Sequence, residues 1–482
     1  MELLQKISLI LLLLLTQTVS ALDTGLPMTH LPEPLLSGFK RHGFTDAGIS
    51  IYIHRIGRKE PLLLVSPDIP RNPASVIKLV TTAAALAELG PGYTWKTEVY
   101  ADGPIRDGQL TGNLYIKGYG DPYMTPEFFW RLLRNIRSSG INHITGDLVL
   151  DVTYFKPKLH NPAAFDGQAH RTYNVNPNAL LVNYQAVRFR FLPVRKRRIR
   201  INVFPNPHTF DIESSVVATR GRCRNWASRL RMEIVSSESG RDKVQFSGSI
   251  PASCGSRDYY RVISDPIEFF EGVFRTLWRE QGGTLAGKVR LAKVNGKLKL
   301  VYTARSLPLS DLVRGINKYS NNVMTRQLLL TMGAEKYGSP GTEAKGKRVI
   351  IQWLRRHNLA YPELVLDNGI GLSRKVRISA RHLGTLLLLA YSKPFMAEYM
   401  SSLPVSGVDG TMHRRFANSK MKGHLHIKTG SLDNVRSMAG YLMDRRGRRY
   451  VVVMIHNHHR AHLRAGERIQ NVVLKWLFNR SR

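Results

Sequence analysis

Apolar residues recur along this chain in three rhythms, and each marks a stretch of different structure. Residues 49–55 and 62–66 are short apolar runs split by the polar turn Gly57-Arg58-Lys59-Glu60. That arrangement predicts an antiparallel hairpin. Residues 79–87 are apolar nearly all round and stop at Gly90-Pro91, which predicts a buried helix with a glycine terminator. From about residue 93 the runs become short and strand-like, at 97–101, 112–117, 146–151 and 202–204. Gly, Asp and Pro punctuate them, as in Gly118-Tyr119-Gly120-Asp121-Pro122. One helix is predicted inside this stretch, at 126–138.

The helical period returns near Pro266 with Ile267, Phe269, Phe270, Val273, Phe274, Leu277 and Trp278, closing at Gly282-Gly283. Further helical segments are predicted within 307–332, at 342–357, and at 379–391 behind a Ser379 cap. Residues 438–444 and 450–457 alternate around Arg445-Arg446-Gly447-Arg448, a hairpin pattern, and a helix over 465–478 closes the chain. Strands and helices at both ends of the sequence predict one α/β domain assembled from its first and last parts. The long β-rich stretch between them reads as an insertion.

Composition adds a constraint on partners. The chain has 482 residues and a formal net charge of +36, a length for about three domains. Its basic residues are spread along most of the sequence. Runs such as Arg195-Lys196-Arg197-Arg198 and Arg445-Arg446-Gly447-Arg448-Arg449 are short and not interleaved with aromatics. This disfavours a nucleic-acid platform and leaves two readings, a solvated basic surface or an anionic partner such as an envelope polymer or the lipid head groups of a membrane surface. Lys6, the apolar run 7–15 and the small residues Val19-Ser20-Ala21 read as a secretory signal, residues 1–21, too short to span a bilayer. An uncleaved anchor is the alternative. Export makes a bridge between the only two cysteines, Cys223 and Cys254, the favoured reading over two buried thiols.

The candidate chemistry begins at Asn72-Pro73-Ala74-Ser75-Val76-Ile77-Lys78. Ser75 and Lys78 lie three residues apart, which puts them on one face of a helix start. A lysine whose pKa is depressed by burial or by a second cation can take the proton of a serine nucleophile. Alone, the four-residue match also fits an ordinary core helix. About 245 residues further on stands Tyr319-Ser320-Asn321-Asn322, and on a predicted strand stands Lys428-Thr429-Gly430. Ser-x-x-Lys, Ser-x-Asn and Lys-Thr-Gly in that order are the signature of serine penicillin-binding proteins and β-lactamases. Four histidines, His456, His458, His459 and His462, lack the glutamate of a zinc-protease pattern and read as strand-end or surface residues.

With Gly118 to Pro122, Tyr173-Asn174, residues 180–183, 316–322, 367–374 and Gly407-Val408-Asp409-Gly410-Thr411, the chain resembles the D-alanyl-D-alanine carboxypeptidase/endopeptidases, the class C low-molecular-mass penicillin-binding proteins. The resemblance spans nearly all of the sequence after residue 21. It implies a β-lactamase/transpeptidase-like α/β (α+β) domain, an antiparallel sheet flanked by helices, with two inserted mainly-β domains. The boundaries expected are 22–92 with 301–482 for the catalytic domain, 93–173 with 259–300 for the second, and 174–258 for the nested third. Asn368-Gly369-Ile370-Gly371 departs from the family pattern, which tends to a small polar residue at 370, and the positive charge exceeds what the family leads one to expect.

The resemblance also implies roles. Ser75 is the nucleophile, Lys78 its base, and Ser320 a proton relay to the leaving nitrogen. Asn322 bonds the substrate amide and helps hold Lys78. Lys428 and Thr429 take the terminal carboxylate, Gly430 leaves room for substrate backbone, and the N–H groups of Ser75 and Ser431 form the oxyanion hole. Asp367 and Asp409 carry no catalytic role in this reading. Peptidoglycan stem peptides are the implied substrates and β-lactams the covalent inhibitors, in a periplasmic enzyme with no metal and no cofactor. A serine β-lactamase and a catalytically inactive envelope-binding homologue are the alternatives. The balance of carboxypeptidase and endopeptidase activity stays open, as does a homo-oligomer.

Overall fold

The computed structural model describes residues 26–194, 197–236, 241–296, 298–359 and 361–480. The expected signal over residues 1–21 lies outside them, as do Arg195 and Lys196. Among the described residues no helix is long and apolar enough to cross a membrane.

The two ends of the chain build one antiparallel sheet. Its strand order is Leu425–Leu432, Val435–Met443, Arg449–Asn457, Ile49–Arg55 and Leu63–Val65. Arg449–Asn457 sits at the centre and is buried on both faces, so its sequence is a continuous apolar run instead of an alternating one. Successive side chains of a strand point to opposite faces. Val451, Val453 and Ile455 therefore meet the helix Lys78–Leu89 and the helices of residues 309–403. Val452 and Met454 meet Leu35, Phe39 and the closing helix Arg464–Asn479 on the other face. The helix Glu33–Lys40, in a region where sequence pattern predicts no element, packs there because Leu35 and Phe39 are its only large buried residues.

Residues between about 96 and 305 form the other sheets. Val289–Leu291, Leu148–Asp151, Leu114–Gly118, Lys96–Ala101 and Lys299–Arg305 make one five-stranded mixed sheet, covered by the helices Pro126–Ser138 and Pro266–Glu280. Beyond it, Ile199–Phe204, Val187–Pro193 and Arg257–Arg261 form a three-stranded sheet, and Asp242–Pro251 gathers three more short strands. Two strands span positions at which the sequence suggests a boundary. Position 300 falls inside Lys299–Arg305, which pairs with Lys96–Ala101. Position 258 falls inside Arg257–Arg261, which pairs with Val187–Pro193. Each strand is held in its ladder by backbone hydrogen bonds that would otherwise be left unpaired. The inserted sheets also share one continuous apolar cluster, from Val99 through Phe191 and Phe246 to Trp278. Cys223 and Cys254 are joined by a disulfide there, Cα atoms 4.8 Å apart.

Candidate active site

Ser75 sits in a 3-10 turn, Ala74–Ile77, and the α-helix begins only at Lys78. The first N–H groups of such a turn have no intrahelical acceptor. Ala74, just before Ser75, is held at φ 46°, a conformation costly for a residue with a side chain. The surroundings enforce it. Asn72 Oδ1 accepts from Ala74 N at 2.8 Å, and Asn72 and Asn457 exchange hydrogen bonds at 2.8 and 3.0 Å. Ser437 Oγ donates to the Pro73 carbonyl at 2.5 Å.

Lys78 is fully buried. Its Nζ donates to Ser75 Oγ at 3.1 Å and to the Ile370 carbonyl. The second hold on Lys78 is thus a peptide carbonyl, where Asn322 was expected. Because the main chain supplies this acceptor, the departure at Ile370 does not disturb it, and the Ile370 side chain is core. The loop approaches closely: Gly371 has φ 82°, and a Cβ there would stand 2.2 Å from the Ala74 carbonyl oxygen. Thr81 Oγ1 ties the same loop to the helix through the Gly369 carbonyl at 2.7 Å.

Tyr319-Ser320-Asn321-Asn322 is a break between two helices. Leu309–Tyr319 ends at Ser320 in a left-handed conformation, φ 58°. Asn321 caps Asn322–Tyr337, its side chain accepting from Met324 N at 3.0 Å. Ser320 is therefore fixed from both sides, and Asn322 starts the second helix as a buried residue. Lys428 Nζ donates to Ser320 Oγ at 3.0 Å and to the Thr429 carbonyl at 2.8 Å. Thr429 Oγ1 donates to Thr411 Oγ1 at 2.8 Å.

Gly430 lies against the protein's own turn. A Cβ there would meet Ser437 Oγ at 2.4 Å, the Pro73 carbonyl at 2.7 Å and Ser75 N at 3.0 Å. The missing side chain lets the strand Leu425–Leu432 seat on the Ser75 turn, so the space at Gly430 is filled by that turn and not left for a ligand. Ser431, the next residue, is exposed. Asp409 acts as a brace: its Oδ2 takes Lys318 Nζ at 2.6 Å and its Oδ1 takes Val405 N at 2.9 Å. Asp367 opens the Lys78-contacting loop at φ 49°.

Two serine–lysine pairs, Ser75 with Lys78 and Ser320 with Lys428, thus converge from elements far apart in sequence. Neither ammonium has a carboxylate within ion-pair distance among the described residues. Burial, with the charges of Lys428 and Arg326 added, pulls Lys78 well below the ordinary lysine value. Burial brings Lys428 down to about 7 and Arg326 to about 10. A cation without a counter-ion in low dielectric sheds its proton, so the site holds an amine beside a serine hydroxyl, the arrangement that nucleophilic acyl transfer needs.

Sequence reasoning missed the Ile370 carbonyl, Asn457, Ser437, Thr411 and Arg326. A carbonyl has no residue signature, and the others are ordinary polar residues until the fold brings them in. His456 is fully buried beside Phe44, ring centroids 4.9 Å apart. Burial drops it to about 3, and among the described residues no cluster of His, Cys, Asp and Glu suits a metal.

A family model described as the D-Ala-D-Ala carboxypeptidase 3 (S13) family matches residues 42–477. A D-alanyl-D-alanine carboxypeptidase of an Actinomadura species is 27% identical over 384 residues, covering 77% of this chain and 70% of the relative. The D-alanyl-D-alanine carboxypeptidase DacB of Haemophilus influenzae is 24% identical over 394 residues, 80% of each. The crystal structure of penicillin binding protein 4 from Haemophilus influenzae superposes with a TM-score of 0.76 at 21% identity, over 93% of this chain and all of that one. That likeness establishes the fold.

Proposed function

The chain belongs to the D-Ala-D-Ala carboxypeptidase 3 (S13) family, and from that premise we propose how its residues carry out the chemistry of a serine-type D-Ala-D-Ala peptidase. Ser75 Oγ attacks the carbonyl of a D-alanyl residue in a peptidoglycan stem peptide, and neutral Lys78 takes its proton. The N–H groups of Ser75 and Ser431 stabilise the resulting oxyanion, an effect of about 3 kcal/mol per donor. The scissile C–N bond then breaks. Ser320 passes its hydroxyl proton to the departing nitrogen and is resupplied from Lys428, its partner at 3.0 Å. Lys428 and Thr429 hold the carboxylate next to the scissile bond, and Asn322 bonds the substrate amide. Water attacks the Ser75 ester and restores the serine.

The observation that carries this reading is the 3.1 Å contact between Ser75 Oγ and a fully buried Lys78 that has no counter-ion among the described residues. β-Lactams, whose strained amide meets the same serine, acylate Ser75. The same reading divides the chain into a catalytic domain at its two ends and two inserted domains, and puts the enzyme in the envelope after export. The test is digestion of purified peptidoglycan with identification of the products by mass spectrometry. Loss of one terminal alanine or conversion of cross-linked dimers to monomers supports the proposal. Release that persists in Ser75→Ala overturns it.

A further inference from the structure

Beyond Thr429 the site opens into a second cavity of about 310 Å³. Its wall is basic: Arg414, Arg415, Arg436 and His413 line it, with Glu467 as the one acidic side chain. No carboxylate lies within ion-pair distance of these three arginines among the described residues. Arg415 is anchored deep in the wall. Its Nε donates to Asn471 Oδ1 at 2.5 Å and its Nη1 to Gln470 Oε1 at 3.1 Å. Among the described residues two donors stay without an acceptor: Arg415 Nη2, and Nε2 of Gln470, which is only 1% exposed. Buried donors without partners are costly and rare in a folded protein. Two of them in the wall of a cationic cavity describe a socket for an anion.

The socket is continuous with the site. Thr429 lines it, and Arg436 sits opposite Ser431 in the strand pair. The Arg436 guanidinium is fixed by the His462 carbonyl at 2.5 Å and the Ala461 carbonyl at 3.5 Å. A terminal D-alanine ends at the carboxylate that Thr429 receives, so it leaves this cavity empty. The leaving strand of a cross-linked dimer continues past that carboxylate and carries further free carboxylates. We infer that the cavity is the subsite for this leaving strand, with Arg414, Arg415 and Arg436 holding a carboxylate beyond the one at Thr429. This rests on the Ser75 reading above and makes cross-link cleavage the activity for which the site is shaped.

The test compares three substrates in the full chain: a linear pentapeptide, a cross-linked dimer, and the same dimer with the distal carboxylates of its leaving strand amidated and the one beside the scissile bond free. The expected result is a kcat/KM at least tenfold lower for the amidated dimer, carried by KM. Arg414→Gln, an exposed position, is expected to lower the ratio of dimer to pentapeptide cleavage by a similar factor. Equal cleavage of free and amidated dimers by the wild-type enzyme overturns the inference, and that comparison does not depend on any variant folding. If the wild-type enzyme forms no penicillin adduct at Ser75, the Ser75 reading itself fails and the subsite falls with it. An adduct with indifference to amidation removes the subsite alone.

Discussion

Lys78 and Lys428 are buried amines whose partners are hydroxyls and carbonyls, so their protonation bears on both activity and stability. In the proposed mechanism acylation needs neutral Lys78, so kcat/KM is expected to fall in acid as Lys78 gains a proton. Lys428, at about 7, loses its charge above that, and the proposed carboxylate binding is expected to weaken with it. The expected profile of kcat/KM is a bell whose alkaline limb lies near pH 7, since this parameter reports the free enzyme. Stability follows the opposite sense to that of a salt-bridged lysine. The unfolded chain holds these protons up to about pH 10.4 while folded Lys428 releases its proton near 7, so the folded state gains stability as pH rises through that window. A thermal midpoint that falls between pH 6 and pH 9 would contradict this. Lys78→Met removes the proposed base and its buried amine together. Penicillin acylation is expected to drop by about 10²–10⁴-fold with the thermal midpoint at or above the wild-type value. In Gly430→Ala, the new methyl meets Ser437, Pro73 and Ser75. Overpacking of this kind costs about 1–3 kcal/mol, and here it also pushes the strand off the Ser75 turn, so acylation is expected to fall more steeply than stability.

At the level of elements, the position of Ser320 depends on the helix Leu309–Tyr319, and Lys318 pins that helix through Asp409 and the Leu403 carbonyl. Asp409→Ala leaves Lys318 6% exposed with the carbonyl alone. The expected loss is about 2 kcal/mol, below the 3–5 of a fully buried pair because Asp409 is open to water on one side. Denaturant unfolding measures it, and slower penicillin acylation should accompany it as Ser320 shifts. Most of these elements were legible in the sequence: the hairpin of residues 49–66, the helix stopping at Gly90, the Ser379 cap and the closing hairpin and helix follow from apolar period and caps. The join at Ser320 was not. Its residues carry helical patterns on both sides, and only the left-handed Ser320 with the Asn321 cap separates them. The strands Lys299–Arg305 and Arg257–Arg261 were obscured for a related reason. Their alternation is broken by charged residues on the open face, and their partners lie some 70 to 200 residues earlier.

For the molecule as a whole, the sheet that carries Lys428 to Ser431 is closed only when the two ends of the chain meet, with the inserted sheets folding between them. The ordered motifs marked Ser75, Lys78, Ser320 and Lys428, which the fold joins in two serine–lysine contacts. What no motif could carry was the backbone acceptor at Ile370 and the basic cavity past Thr429, both products of non-local packing. Reduction of Cys223–Cys254, 31 residues apart, is expected to cost about 3–4 kcal/mol by loop entropy. The loss should fall on the inserted region, seen as an earlier thermal transition while penicillin acylation persists. The net charge of +36 should make binding to anionic envelope polymers weaken steeply with salt. The central claim is that Ser75 is the acylated residue, and peptide mapping by mass spectrometry after incubation with benzylpenicillin tests it most directly. One penicillin mass on the peptide containing Ser75, absent in Ser75→Ala, is the result expected; an adduct on another peptide, or one that survives in Ser75→Ala, would contradict the account.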